Sequence, residues 1–495
     1  DTLVADFGAS LGSNCTIVIA NTASVEILTG QNIGSTYTIN KTFFGLLIIN
    51  RALTNDETSA LRTSFSALCP AYNDTYDYYV DDATGNDAND GLTLNTAKKT
   101  LSAGYALFPN SGTRRLYVGL GTYNAQYANS GKTGTYHIHC PRAGVIIDGG
   151  QTPPSTNSAF DFAAGTTHVW GDGNLTIRNW GNNGLGSSAS GVGNAYDVLV
   201  HTCDDGVTAH ATSTNRIYRS TVYGCTKGAF THTGNVSTCY HECAAFYGLK
   251  TGTAQVGFCE NGVSFQFVNC DFRPDATTTT EWARYNMTIS NANAGVGTDR
   301  LFTGCRFGSP EISPGATVST TALFRATLED CYVNGWDFFT GANGGTTTLR
   351  RCYGAFSLRP RFTATAVALI ENCVFTSGAP ARSDRAIAAD FYSASTDVFG
   401  SGTIRNNIFT DCATAIYVVS NASVFNDSYD LRNNLFFNNT ANYSASVTAD
   451  GVDVTGSDPL LVNPSTEDQK DYRVASGSPA IGAGTSGSNI GLGVS

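Results

Sequence analysis

Methionine occurs once in 495 residues, and lysine and arginine together number only 29 against 40 acidic residues. The net charge of −11 removes the electrostatic attraction that nucleic-acid binding depends on. It equally disfavours an anionic membrane surface. The longest apolar run, Phe43 to Ile49, is too short to span a bilayer, so no membrane insertion is expected. Leu/Glu/Lys-rich stretches are scarce, which argues against a helical fold. No initiator Met and no signal peptide precede Asp1, so the chain is expected to begin at a processed or trimmed end.

What is abundant is glycine, asparagine, threonine and serine, together with a recurring phrase. It reads Phe267-Val-Asn-Cys270-Asp-Phe272, Phe302-Thr-Gly-Cys305-Arg-Phe307, Leu328-Glu-Asp-Cys331-Tyr-Val333 and Leu349-Arg-Arg-Cys352-Tyr353. It continues as Ile370-Glu-Asn-Cys373-Val-Phe375, Ile404-Arg-Asn-Asn407-Ile-Phe409 and Leu431-Arg-Asn-Asn434-Leu-Phe436. The fourth positions are 35, 26, 21, 21, 34 and 27 residues apart. Such self-similarity marks a stacked repeat. The alternation of apolar and polar residues makes each copy a strand. Upstream, Tyr196 to His210 aligns with Tyr218 to His232 at a shift of 22, with Tyr, Val, Cys, Gly and His in common. The fold class expected is all-β: a coil of parallel strands.

Fourteen cysteines suggest a disulfide framework at first sight. At least five share one repeat position. In a parallel stack they point the same way from strands about 4.8 Å apart, which suits disulfide geometry poorly. A column of buried thiols is expected, continued by Asn407 and Asn434. Free thiols favour assembly in a reducing cytoplasm.

Four units are expected along the chain. Residues 1–70 form a small β-rich unit, with a capping box at Thr54 and Glu57 and a short amphipathic helix over 55–68. Residues 71–105 are a polar link and an opening cap. Residues 106–455 are the stacked coil, and 456–495 its closing turns. The acidic loop around Asp87 lacks the spacing of an EF-hand and reads as a turn.

Two segments carry resemblances. Gly45 to Glu57 resembles the closing strand and helix of laminin-G or concanavalin-like sandwiches. Tyr78-Tyr-Val-Asp-Asp to Leu101, with the closing phrase Asp471 to Gly484, resembles the right-handed parallel β-helix proteins of the pectate-lyase-like superfamily, bacteriophage tailspikes in particular. The resemblance covers roughly residues 78–490. It implies a right-handed parallel β-helix, a homotrimer, and attachment to other virion tail proteins through the N-terminal side. It implies recognition of a host surface glycan, with depolymerisation by hydrolysis or by elimination left open. Two rivals stand beside it: a non-catalytic structural or adhesin fibre, and a secreted monomeric polysaccharide lyase or glycoside hydrolase.

The densest polar cluster lies at 197–250. A shift of 22 puts Asp197, Arg219 and His241 on one line, Asp205 above Lys227, and His210 above His232. Catalysis is expected from Asp204, Asp205, Glu242, His210 and His232. Asp204 or Asp205 would lie about two rungs from Glu242, which suits an inverting glycosidase pair. A lyase would instead use Lys227, Arg219 or a His as base. Cys203-Asp-Asp-Gly206 is similar to the paired-aspartate turn of polygalacturonase-type hydrolases, whose other turn motifs are absent here. Substrate binding is expected from Arg219, Lys227, His241 and Trp180. No metal and no cofactor is expected, since neither H-x-x-x-H nor C-x-x-C spacing occurs. A second stretch, Arg350, Arg351, Arg359, Arg361, Arg382, Asp384 and Arg385, suits anionic sugars or a neighbouring subunit.

Overall fold

A computed structural model describes five strands between Leu3 and Ile49, and most of residues 76–494. The larger stretches outside the description are 50–75, 151–157, 233–237, 249–254, 260–263, 275–285, 290–299, 308–318, 341–344, 361–365, 377–384, 390–401, 419–425 and 465–470. The helix expected over 55–68 lies among them.

The chain is a right-handed parallel β-helix. Each turn supplies one strand to each of three parallel sheets. The first sheet includes Thr113–Val118, Thr135–His139, Thr214–Tyr218, Thr238–Glu242 and Ser264–Val268, and runs on to Tyr429–Arg432. The second includes Gly121–Tyr123, Thr221–Tyr223 and Ala245–Gly248, and ends at Val454–Thr455. The third includes Asn183–Ser187, Asp205–Ala209 and Gly228–His232, and ends at Ala441–Tyr443. Two long strands, Thr166–Arg178 and Val192–His201, bend from the first sheet into the second. In the N-terminal region Cys15–Asn21 pairs antiparallel with Val25–Gln31 and Phe43–Ile49, and Leu3–Asp6 with Thr36–Ile39.

The repeat phrase explains the corner between the first and second sheets. Its third residue adopts positive φ: Asn269, Gly304, Asp330, Asn372, Asn406 and Asn433 all lie between 51° and 61°. Gly, Asn and Asp tolerate that left-handed conformation best. Arg351 (φ 53°) is the exception. Its guanidinium is held by Asp330 and Glu329 at 2.6 Å.

The fourth residue then points inward. Cys270, Cys305, Cys331, Cys352 and Cys373 are fully buried in one column. Their thiols donate to carbonyls of the preceding rung, such as Cys305 to Phe267 O at 3.2 Å and Cys352 to Leu328 O at 3.4 Å. Asn407 and Asn434 continue the column with stronger bonds. Asn407 Nδ2 donates to Ile370 O at 3.0 Å and to Asn434 Oδ1 at 3.1 Å. Cys203 and Cys225 occupy the next corner, between the second and third sheets, where Cys412 also lies. Phenylalanines fill the space between columns, with Phe267 stacked on Phe302 and Phe375 on Phe409.

Both ends differ from mid-coil. At the top, the helix Leu101–Ala106 plugs the coil, with Leu101 and Tyr105 buried. Gly104 faces Val80 so closely that a Cβ would come within 2.3 Å of Val80 Cγ2. Asp87 ties the acidic loop to this helix by accepting from the Lys99 and Thr100 amides and the Thr100 hydroxyl. At the bottom, residues beyond Thr455 do not extend the stack. They turn back over the outside of the second sheet, where Tyr472, Val474, Ala480 and Ile490 pack on the outward Val374, Ile408 and Leu435.

Candidate functional site

Parallel register turns the outward residues of the first sheet into two columns. One runs Arg115, His137, His168, Asn194, Arg216, Tyr240 and Gln266. The other runs Tyr117, His139, Trp170, Tyr196, Tyr218 and Glu242. Rungs about 4.8 Å apart match the thickness of stacked rings. Trp170 and Tyr196 stack at 3.8 Å and 6°, Tyr196 and Tyr218 at 4.7 Å and 5°, and His137 and His168 at 4.7 Å and 7°. The faces of these rings are covered by one another. What the columns offer outward is ring edges and phenol hydroxyls.

The stack breaks at Tyr240, tilted 45° to Tyr218 at 5.8 Å. The Tyr240 hydroxyl donates to Glu242 Oε2 at 2.9 Å. Burial and that bond push the Tyr240 phenol up to about 12, so it keeps its proton. Arg216 sits beside Tyr240 in register. Among the described residues neither Arg115 nor Arg216 makes an ion pair. Burial pushes His137 and His168 down to about 4, helped by each ring's cationic or imidazole neighbours, including Arg115 beside His137 and Arg216 beside His168. Both rings are therefore neutral at pH 7. The upper part of this face thus combines neutral aromatics, hydroxyls and two unpaired guanidinium groups.

Tyr76 covers the top of the face. It packs edge-on against Tyr79 and Tyr117. Its hydroxyl donates to His139 Nδ1 at 2.5 Å, and His139 Nε2 donates to Asp172 Oδ2 at 2.7 Å. Tyr76 thereby anchors the start of the opening segment to the sheet.

The expected catalytic cluster does not assemble as the 22-residue shift implies. Arg219 does bind Asp197, through two bonds at 2.9 and 2.7 Å. His241, however, aligns with Ile217 and is buried in the core, because the register shift between these strands is 24. On the third sheet the shift is 23, so His232 aligns with Ala209 and not with His210. A one-residue slip reverses the side a residue faces, and His232 is buried too. Lys227 pairs with Asp204, not Asp205. Asp205 instead accepts from Thr231 Oγ1 at 2.6 Å. Burial pushes the Asp205 carboxyl up, against the pull of Thr231 and Lys227. His210 lies within electrostatic reach of it. Glu242 lies on the first sheet and Asp205 on the third, so the expected two-rung carboxylate pair is not made. Trp180 is 2% exposed and its N–H donates to Ile147 O at 3.4 Å, so it is core and not a sugar platform.

The second basic stretch is internally occupied where its side chains are described. Arg350 Nε meets Glu371 at 2.7 Å, and Arg351 meets Glu329 and Asp330. The side chains of Arg359, Arg361, Arg382, Asp384 and Arg385 lie outside the described residues. An open cleft of about 810 Å³ beside the closing segment is lined by Asp411, Asp458, Phe437 and Leu460 among others, and carries no cation.

No protein-family model matches the chain, and no curated protein does. Solved structures do. The complex of XylC with xylose has 9% identity over 79% of this chain and 88% of that one, with a TM-score of 0.44. Pectate lyase Pel9A has 12% identity over 84% and 95%, with a TM-score of 0.37. The likeness is one of fold. The tailspike protein gp49 of Acinetobacter baumannii bacteriophage Fri1, a capsular polysaccharide depolymerase, has 11% identity over 92% of this chain and 70% of that one, with a TM-score of 0.36.

Proposed function

We propose that this β-helix binds an extended anionic polysaccharide along the upper part of its first sheet. The observation that carries this is two arginines without ion pairs among the described residues, Arg115 and Arg216, four rungs apart on one register column with aromatic edges and hydroxyls beside them. Guanidinium groups bind carboxylates in a bidentate fork, and rows of hydroxyls suit sugar rings. The ridged face is long enough for several residues of a glycan chain. The setting proposed is a virion tail spike or fibre, built as a homotrimer in the bacterial cytoplasm and acting at the host cell surface. Its support is the resemblance of the opening segment and the stacked thiols.

The test is binding of purified protein to polygalacturonate and alginate, with dextran as the neutral control. Uronate polymers should bind and dextran should not. Arg216→Ala should weaken binding about tenfold, equivalent to about 1.4 kcal/mol, with particle mass unchanged. Equal binding of dextran, or no effect of Arg216→Ala, overturns the reading. A particle mass of one chain overturns the trimer.

Cleavage is a second reading, favoured by one observation: the raised pKa of Asp205 beside Thr231, Lys227 and His210. A carboxyl that keeps its proton longer suits general-acid work. Asp205→Asn should abolish release of reducing ends while leaving binding on the first sheet intact.

A further inference from the structure

The slips that take His232 and His241 off the surface bring them together inside the coil. His232 ends a third-sheet strand, and Cys239 and His241 lie on the next first-sheet strand. One ligand atom from each of the three lies within 4.8 Å of the others, and all three residues are buried. The two Nε2 atoms are 3.0 Å apart. Phe230, Phe246 and Phe267 wall the rings.

Hydrogen bonding alone leaves this group unsatisfied. The Nε2–Nε2 contact uses one proton, while Nδ1 of both rings has no partner. Asn215 Oδ1, one rung from Cys239 in register, is also without one. Two of the seven buried side-chain atoms in that condition among the described residues therefore belong to one pair of touching rings, and a third lies on the adjoining rung. Buried polar atoms are nearly always paired, so such a concentration points to a bound group. Two nitrogen ligands at about 2.0–2.1 Å from a tetrahedral ion lie about 3.3 Å apart, and nitrogen and sulfur slightly farther. The Nε2–Nε2 spacing of 3.0 Å is close to this, and Cys239 Sγ, within 4.8 Å of the ring nitrogens, has to close by up to about 1.3 Å.

We propose that His232, Cys239 and His241 hold a transition-metal ion of the zinc class in the core of the coil. With Nε2 on the metal, each ring carries its proton on Nδ1. The Cys239 thiol gives up its proton to solvent as the metal binds during folding, before the coil closes over the site, and the sulfur ligates as thiolate. The backbone register also sets Cys259 one rung from His232. The sequence hides this site, because its ligands come from strands of two different sheets and follow no motif spacing. It stands apart from glycan binding on the outer face.

The test is metal content and cobalt substitution. Protein expressed with zinc, then dialysed against chelator while folded, should retain about one zinc per chain, since the ligands are sealed from solvent. Protein unfolded in chelator and refolded with cobalt(II) should show thiolate-to-cobalt charge transfer and tetrahedral visible bands. Cys239→Ala should lose the charge-transfer band while keeping wild-type far-ultraviolet dichroism, and His241→Gln should lose the bound zinc. Folded wild-type protein with no metal and no cobalt bands overturns the proposal. So does metal retained equally in both variants. Should a variant fail to fold, the wild-type cobalt spectrum and the dependence of refolding yield on zinc still decide.

Discussion

The two halves of the first sheet's outer face follow one geometry and opposite chemistries. Above, the register column reads Tyr117, His139, Trp170, Tyr196, Tyr218. Below, the same column reads Glu329, Arg350, Glu371, Arg405, Arg432. In the lower half every described arginine of this column is matched. Glu371 is clamped by Arg350 at 2.7 Å and Arg405 at 2.9 Å, and Arg432 meets Asp430. In the upper half neither Arg115 nor Arg216 makes an ion pair among the described residues; the Asp77 carboxylate at Arg115 accepts from its backbone amide at 2.8 Å. Charge placed beside its opposite on the next rung zips the coil. Charge placed among neutral rings is left to meet something from outside.

The strongest way to break this contrast is Glu371→Gln. Burial raises the Glu371 carboxyl, but bonds from Arg350 and Arg405 outweigh it and hold it below its ordinary value. Removing the charge leaves two half-buried guanidinium groups facing each other. Unfolding free energy should drop by about 1–3 kcal/mol, seen as an earlier denaturant midpoint. Arg216→Ala should leave that midpoint unmoved and weaken uronate binding instead.

Acid should separate the halves next. Unfolded imidazoles titrate near 6.5, whereas His137 and His168 stay neutral to about 4 in the fold. Between these values the unfolded chain binds more protons, so stability falls as pH drops through that window and is unaffected above it. The melting temperature against pH should decline less steeply in His168→Phe. The smallest effect belongs to Tyr196→Phe. It keeps the stack and removes one half-buried hydroxyl, so stability should change by less than about 0.5 kcal/mol. A larger loss would mean that the hydroxyl, and not the ring, holds the rungs.

Much of the coil could be read without coordinates, because the phrase states its own geometry. The Asn, Asp or Gly in third place is the corner residue with positive φ, and the Cys or Asn in fourth place is the inward one. The outer face of the first sheet is harder to read. A column exists only once register is known, and register is decided by turn length. Shifts of 22, 23 and 24 occur on neighbouring strands. An error of one residue moved His232 from surface to core. Arg115 and Arg216 drew no notice because nothing local distinguishes them; their character comes from neighbours one rung away. The closing phrase was read as further turns because its apolar spacing is that of a strand, and it does form one, Asp471–Val474, paired with Leu461–Asn463.

That returning segment changes how the lower end comes apart. A solenoid whose rungs touch only their neighbours loses them one at a time from its tip. Here a single strap lies across Tyr332, Tyr353, Val374, Ile408, Leu435 and Val454, six consecutive rungs. Asn406 fastens it by accepting from the Thr485 amide and hydroxyl and from the Gly491 amide. The final rung cannot peel without lifting the strap from the other five, so the bottom of the coil should open as one block.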